Sequence, residues 1–216
     1  MSITYGEFVE KVLRLLDDPG QQIYEDGLVW DGICGAHEAI MPYAPKFAQA
    51  TLTAGSAGDL YTLPTDLYTI QAVQDVNSGK FIPRATLAPL TARSSTSSSD
   101  NDWIEYPNGY LNLSVALSEG DQLRLYYFAY WNKPETESDL GFILEVPTAA
   151  LVGMMYYAGS HCLLPKSSNS ANIRQFNLRV DSGNPEDNPL RVQAELYRKL
   201  FFQEMKMLPP YVKVSQ

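Results

Sequence analysis

Several things are scarce in this chain of 216 residues, and each scarcity excludes something. Cysteine occurs twice, as Cys34 and Cys162, too few for a disulfide scaffold, so buried thiols in a reducing compartment are expected. Basic residues number 16 against 25 acidic ones, a net charge of −9. Wrapping nucleic acid needs clustered Lys and Arg to displace counterions, and no such cluster is present. No apolar run approaches the ~20 residues of a membrane span. Met1-Ser2-Ile3-Thr4 shows no basic region followed by an apolar stretch, so no secretory signal is expected and the protein is read as made in the cytoplasm.

Histidine also occurs only twice, which limits catalytic and metal chemistry. Cys34 with His37, and His161 with Cys162, offer four N/S groups, the number a tetrahedral zinc site takes. Both pairs lie in segments with helical periodicity, and adjacent residues on a helix point about 100° apart. Buried thiols and a core histidine explain the same residues without a metal, and none is expected. A Cys34–His37 nucleophile lacks a third orienting group. Glu7 with Glu10, and Glu135 with Glu137, are carboxylate pairs better read as solvated faces, since nothing nearby would separate their pKa values. Gly55-Ser56-Ala57-Gly58 lacks the Lys-Ser/Thr of a phosphate loop. No enzyme and no cofactor are expected.

What is there is helix at both ends and strand between. Thr4-Tyr5-Gly6-Glu7 has capping-box spacing and opens a helix whose apolar positions include Phe8, Val12 and Leu15. Asp17-Asp18-Pro19-Gly20 stops it. A second helix is predicted over about Asp26 to Tyr43, with two apolar stripes through Val29 and Ile33 and through Trp30 and Cys34. From Phe47 to Trp131 short alternating runs predict antiparallel strands. They cover Phe47–Leu52, Leu60–Leu63, Tyr68–Val76, Phe81–Pro83, Trp103–Tyr106, Tyr110–Leu113 and Gln122–Trp131, the last expected to be central. Thr86 to Arg93 is predicted as a short helix, and the serine-rich 94–100 as an exposed loop. Helix resumes near Thr148 and is expected to end at Leu163-Leu164-Pro165. Lys166 to Asp187 reads as a polar connection carrying Ile173, Phe176, Leu178 and Val180. Asn188-Pro189 then starts a last helix with Leu190, Ala194, Tyr197, Phe201, Met205 and Leu208 as its buried stripe. After Pro209-Pro210 the tail 211–216 alternates like a strand.

The fold class expected is α+β: a discontinuous helical bundle from residues 1–46 and 148–208, an inserted antiparallel β domain over 47–147, and an extended tail at 209–216. The polar connection and the tail are the segments least able to satisfy themselves, so Ile173, Phe176, Leu178, Tyr211, Val212 and Val214 are the candidate partner-binding residues.

The order of elements, with Leu60-Tyr61-Thr62-Leu63-Pro64-Thr65-Asp66-Leu67-Tyr68-Thr69-Ile70 between the second helix and the Asn77-Ser78-Gly79 hairpin, resembles the head-to-tail adaptors (connector or head-completion proteins) of tailed bacteriophages. The ending, a helix, a polar stretch and a helix beginning Asn188-Pro189-Leu190, is part of that resemblance. It implies a homo-oligomeric ring, usually a dodecamer, in the virion neck. Such a ring docks on the portal protein, offers a platform to a tail or nozzle protein, and passes genomic DNA without sequence-specific binding. It also implies no catalytic site. A different reading makes the β domain a tail or baseplate module for a host glycan or receptor, with Trp103, Tyr106, Tyr110 and Trp131 stacking on sugar rings.

Overall fold

The computed structural model describes residues 3–54, 60–85, 102–106, 109–113, 117–178 and 189–209, with side chains described except at 60, 104–106 and 167–178. These residues form α-helices and antiparallel sheets. They divide into two compact units, one within Met1–Pro45 and Trp131–Tyr211, the other centred on Lys46–Tyr130.

In the first unit, strand β1 (Ile3–Thr4) runs straight into helix α1 (Tyr5–Leu15). Thr4 caps α1: its hydroxyl accepts the Glu7 N–H at 3.2 Å, while the Glu7 carboxylate accepts the Thr4 N–H at 3.0 Å. Two more N–H groups of the first turn would otherwise lack acceptors. Tyr5 donates to the Phe142 carbonyl and Gly6 to the Leu140 carbonyl. Phe8, Val9, Val12 and Leu13 face inward and the Glu10–Arg14 pair faces water. Thr4→Ala is expected to cost about 1 kcal/mol, read as a lowered midpoint in chemical denaturation.

The helix stops where Asp17 enters the left-handed region at φ 57°. Asp18 then turns its carboxylate onto the N–H groups of Gln22, Ile23 and Tyr24 at 2.8–2.9 Å. Burial works to raise the Asp18 carboxyl, but the donors on Tyr24, Ile23 and Gln22 outweigh it and hold it below the ordinary value of 3.8.

Helix α2 (Asp26–Ala39) ends earlier than its apolar pattern suggests, and the chain turns through Tyr43 before Pro45. Both expected stripes are used: Val29, Ile33 and Ala36 are buried, and so are Cys34 and His37. Strand β9 (Ile143–Leu144) pairs antiparallel with β1, a two-residue match too short to read from periodicity. A 3₁₀ turn at Thr148–Ala150 leads into helix α3 (Leu151–Leu178).

Here one expectation is overturned. The helix does not end at Pro165 but continues to Leu178, so Lys166–Leu178 is helix rather than connection. Proline removes the N–H that would reach the His161 carbonyl, but its φ near −65° is itself helical, and the turns after it carry no glycine. The rest of the expected connection, including Val180, lies outside the described residues.

Helix α4 (Pro189–Met207) buries Ala194, Tyr197, Phe201 and Met205, and the Asn188 of the expected cap lies outside the described residues. Helices α1, α2, α3 and α4 contribute to one core, in which Phe8, Val12, Ile33, Met154, Ala158 and Phe201 are almost wholly enclosed.

The described residues of the second unit form two sheets. Strands β2 (Lys46–Thr53), β8 (Gln122–Ala129), β4 (Leu67–Asp75) and β5 (Phe81–Ile82) form one, in that spatial order. Strands β3 (Leu60–Thr62), β7 (Tyr110–Leu113) and β6 (Trp103–Tyr106) form the other. The apolar alternation of β8 does place it inside its sheet, between β2 and β4. The Leu63-Pro64-Thr65-Asp66 turn carries the chain from one sheet to the other. Leu67 donates to the Pro64 carbonyl at 3.2 Å, and Tyr130 to the Asp66 carbonyl at 2.7 Å. The Tyr127 hydroxyl donates to the Asp66 carboxylate at 3.1 Å, so side chain and backbone both hold the turn against β8. Val73, Leu111, Leu123 and Leu125 from the two sheets share a core. The predicted helix at Thr86–Arg93 and the serine-rich loop lie outside the described residues.

Candidate functional site

The antiparallel contact of α2 and α3 decides what the cysteines and histidines can do. Cys162 approaches the Leu28 carbonyl at 3.8 Å, Gly32 meets Ala158, and Gly35 meets Tyr157. Residues 28 and 162 therefore lie at one level and 35 and 157 about two turns away. Cys34 and His37 sit near the far level while His161 and Cys162 sit at the near one, so the four groups do not converge. Among the described residues no group of three or more His, Cys, Asp or Glu is placed to hold a metal ion. Both cysteines are free and buried. Burial pushes the Cys162 thiol up to about 12 and raises the Cys34 thiol as well, so both are thiols rather than thiolates at neutral pH.

His37 is 3 % exposed. Its Nδ1 lies 2.9 Å from the Ile33 carbonyl, which fixes Nδ1 as the protonated nitrogen of the neutral ring. Nε2 is buried with no protein partner among the described residues. Burial holds the His37 pKa below 6.5; the Ile33 carbonyl and Glu38 act against this and Lys133 acts with it. A depressed histidine takes up its proton more readily when unfolded. Stability is therefore complete above pH 6.5 and falls as pH drops from 6.5 through the lower native value. One proton gives a slope of at most about 1.4 kcal/mol per pH unit. His37→Leu is expected to flatten that limb in denaturation curves taken as a function of pH.

Of the two carboxylate pairs, the first has structural work. Glu7 closes the α1 cap and Glu10 pairs with Arg14 at 3.3 Å. Glu135 and Glu137 lie exposed in the segment before β9. Of the candidate partner-binding residues, Ile173, Phe176 and Leu178 fall on the last turns of α3, with side chains outside the described set. Tyr211, Val212 and Val214 lie outside the described residues altogether.

Of the four aromatics considered for glycan stacking, three have described side chains. Trp103 is 2 % exposed, with the Arg84 guanidinium 5.3 Å from its ring centre. Trp131 belongs to the helical unit, where its indole N–H donates to the Ala44 carbonyl at 2.7 Å. Tyr110 is half-buried, and the side chain of Tyr106 is outside the described set.

A different aromatic surface appears instead, on the outer face of the four-stranded sheet. In β2 the even-numbered residues Ala48, Ala50 and Leu52 pack inward, which turns Phe47 outward. In β8 Leu123, Leu125 and Tyr127 point inward, which turns Arg124 and Tyr126 outward. Register then aligns the outward set. Phe47 stands opposite Phe128, Arg124 opposite Gln74, and Gln74 opposite Phe81. Phe47 stacks on Tyr126 with centroids 6.3 Å apart, and Phe81 lies 6.0 Å from the same ring. The Tyr126 hydroxyl donates to the Gln74 side-chain carbonyl at 3.0 Å, fixing the central ring. Phe47 and Phe81 remain 56 % and 55 % exposed. Phe128, on the same face, is only 8 % exposed, so the water-facing part of the row is Phe47 and Phe81 flanking Tyr126, a grouping of exposed aromatics that a partner could cover. The alternation in Lys46–Thr53 held this signal, but which side faces outward depends on the partner strands. No protein-family model matches the chain, and comparison with curated proteins finds no match.

Proposed function

We propose that this chain is a structural virion protein, a head-to-tail adaptor that forms a ring under the portal, extends the DNA channel and provides a platform for the tail. The observation that carries the reading is the division of the chain. One compact unit draws helices from both ends together with the β1–β9 pair, and the other holds strands β2 to β8. In this reading the molecule is a discontinuous helical base with an inserted antiparallel β domain, the arrangement expected from the helix–strand–helix order of the sequence. A ring closes through heterologous contacts, one surface of each copy gripping a different surface of the next. The open aromatic face of the sheet supports such gripping. A net charge of −9 supports a channel along which DNA slides without sticking.

Copurification of the chain with candidate portal proteins tests the proposal: a stable complex with one portal is expected. Removing Tyr211–Gln216 is expected to weaken portal docking and leave the thermal midpoint unchanged. Docking that survives the deletion intact takes the tail out of the contact.

A further inference from the structure

The outer face of the four-stranded sheet is unusual for this chain. Carboxylates outnumber basic residues 25 to 16 overall, yet the aligned outward residues of β2, β8, β4 and β5 are aromatic, amide, hydroxyl or small, with Arg124 their one charge. The segment 135–145 is its chemical opposite. It carries Glu135, Glu137, Asp139 and Glu145 and no Lys or Arg. Leu140 and Ile143 in it are each more than half exposed. The segment is already shaped: β9 pairs with β1, Tyr5 and Gly6 donate to Phe142 and Leu140, and the Asp139 carboxylate accepts the N–H groups of Glu135 and Thr136. Little conformational entropy is left to lose on docking.

We propose that the aromatic sheet face of one copy docks on the acidic, apolar segment 135–145 of a second copy. Leu140 and Ile143 pack on the Phe47–Tyr126–Phe81 row, and Arg124 meets the Glu135 and Glu137 carboxylates. The inference rests on the ring reading and deepens it by naming the two surfaces. They differ from each other, so each copy keeps one of each unmatched until the assembly closes by rotation. The charged part of the contact weakens with salt, while the aromatic part does not.

Sedimentation velocity of the full chain at low salt tests this. The wild type is expected to self-associate. A chain carrying both Phe47→Ser and Phe81→Ser is expected to associate roughly tenfold more weakly or worse, while the loss of two half-exposed cross-strand ring contacts lowers the thermal midpoint by only about 2–6 °C and leaves the chain folded. Arg124→Glu is expected to weaken association too. Mixing that chain with one carrying Glu135→Arg and Glu137→Arg is expected to restore assembly between the two variants, which general destabilisation could not do. A monomeric wild type, association untouched by the double serine variant, or a mixture that fails to reassemble overturns the inference. Portal-binding rings unaffected by these changes sink the inference and leave the adaptor reading standing. Assembly through these surfaces that ignores every portal protein does the reverse.

Discussion

Gly32→Leu is expected to destabilise the helical unit severely. A Cβ built at Gly32 would lie 3.1 Å from the Ala158 carbonyl oxygen and 3.3 Å from the Ala158 Cα. Both are backbone atoms of α3, so no side chain can swing aside. Alanine gains about 1 kcal/mol in helix propensity over glycine, which offsets some of the crowding for Gly32→Ala. Leucine brings the same Cβ and three more carbons into a contact already closed. The two helices must part, and their shared core opens with them. A loss of about 3 kcal/mol or more is expected, a fall of roughly 10 °C in the thermal midpoint for a chain of this size. Gly141→Ala is the control: a Cβ there meets nothing within 4 Å, so the midpoint is expected to hold.

Phe201→Ala is the second large effect. Phe201 is 2 % exposed on the inner face of α4. Tyr157 meets it edge-on at 5.2 Å between centroids, and Tyr43 at 6.3 Å from the turn after α2. The ring thus binds three separate stretches of chain in one core. Its removal loses the transfer energy of the ring, leaves a cavity between two tyrosines that cannot close fully, and costs about 3–5 kcal/mol. Phe202, the next residue, is exposed, and Phe202→Ala is expected to change stability by less than about 1 kcal/mol. Urea denaturation of the pair separates burial from residue type. Equal losses at 201 and 202 would contradict the packing described.

Much of the fold was legible because its elements announce themselves locally. Trp103–Tyr106 and Tyr110–Leu113 appear at their expected bounds, since both are short apolar and aromatic runs flanking the Gly109 turn. The Thr4 cap depends only on chemistry within one turn of helix. What was not legible depends on partners distant in sequence. The pairing of Ile3–Thr4 with Ile143–Leu144 joins two-residue strands that carry no period. The continuation of α3 past Pro165 overrides a local rule. The candidate site was the least legible part. Apolar residues in polar surroundings directed attention to Ile173 and Phe176, whereas the exposed aromatic row emerges only when the registers of β2, β8, β4 and β5 are assembled. Phe47 and Phe81 are 34 residues apart in the chain, and nothing near either one says that they flank the same tyrosine.

The adaptor account is tested most directly by negative-stain microscopy of the purified chain mixed with portal protein. The account predicts a ring of this chain stacked coaxially on the portal ring, with the central channel continuous through both. Single copies scattered beside undecorated portals, at concentrations where the chain is folded, would contradict it.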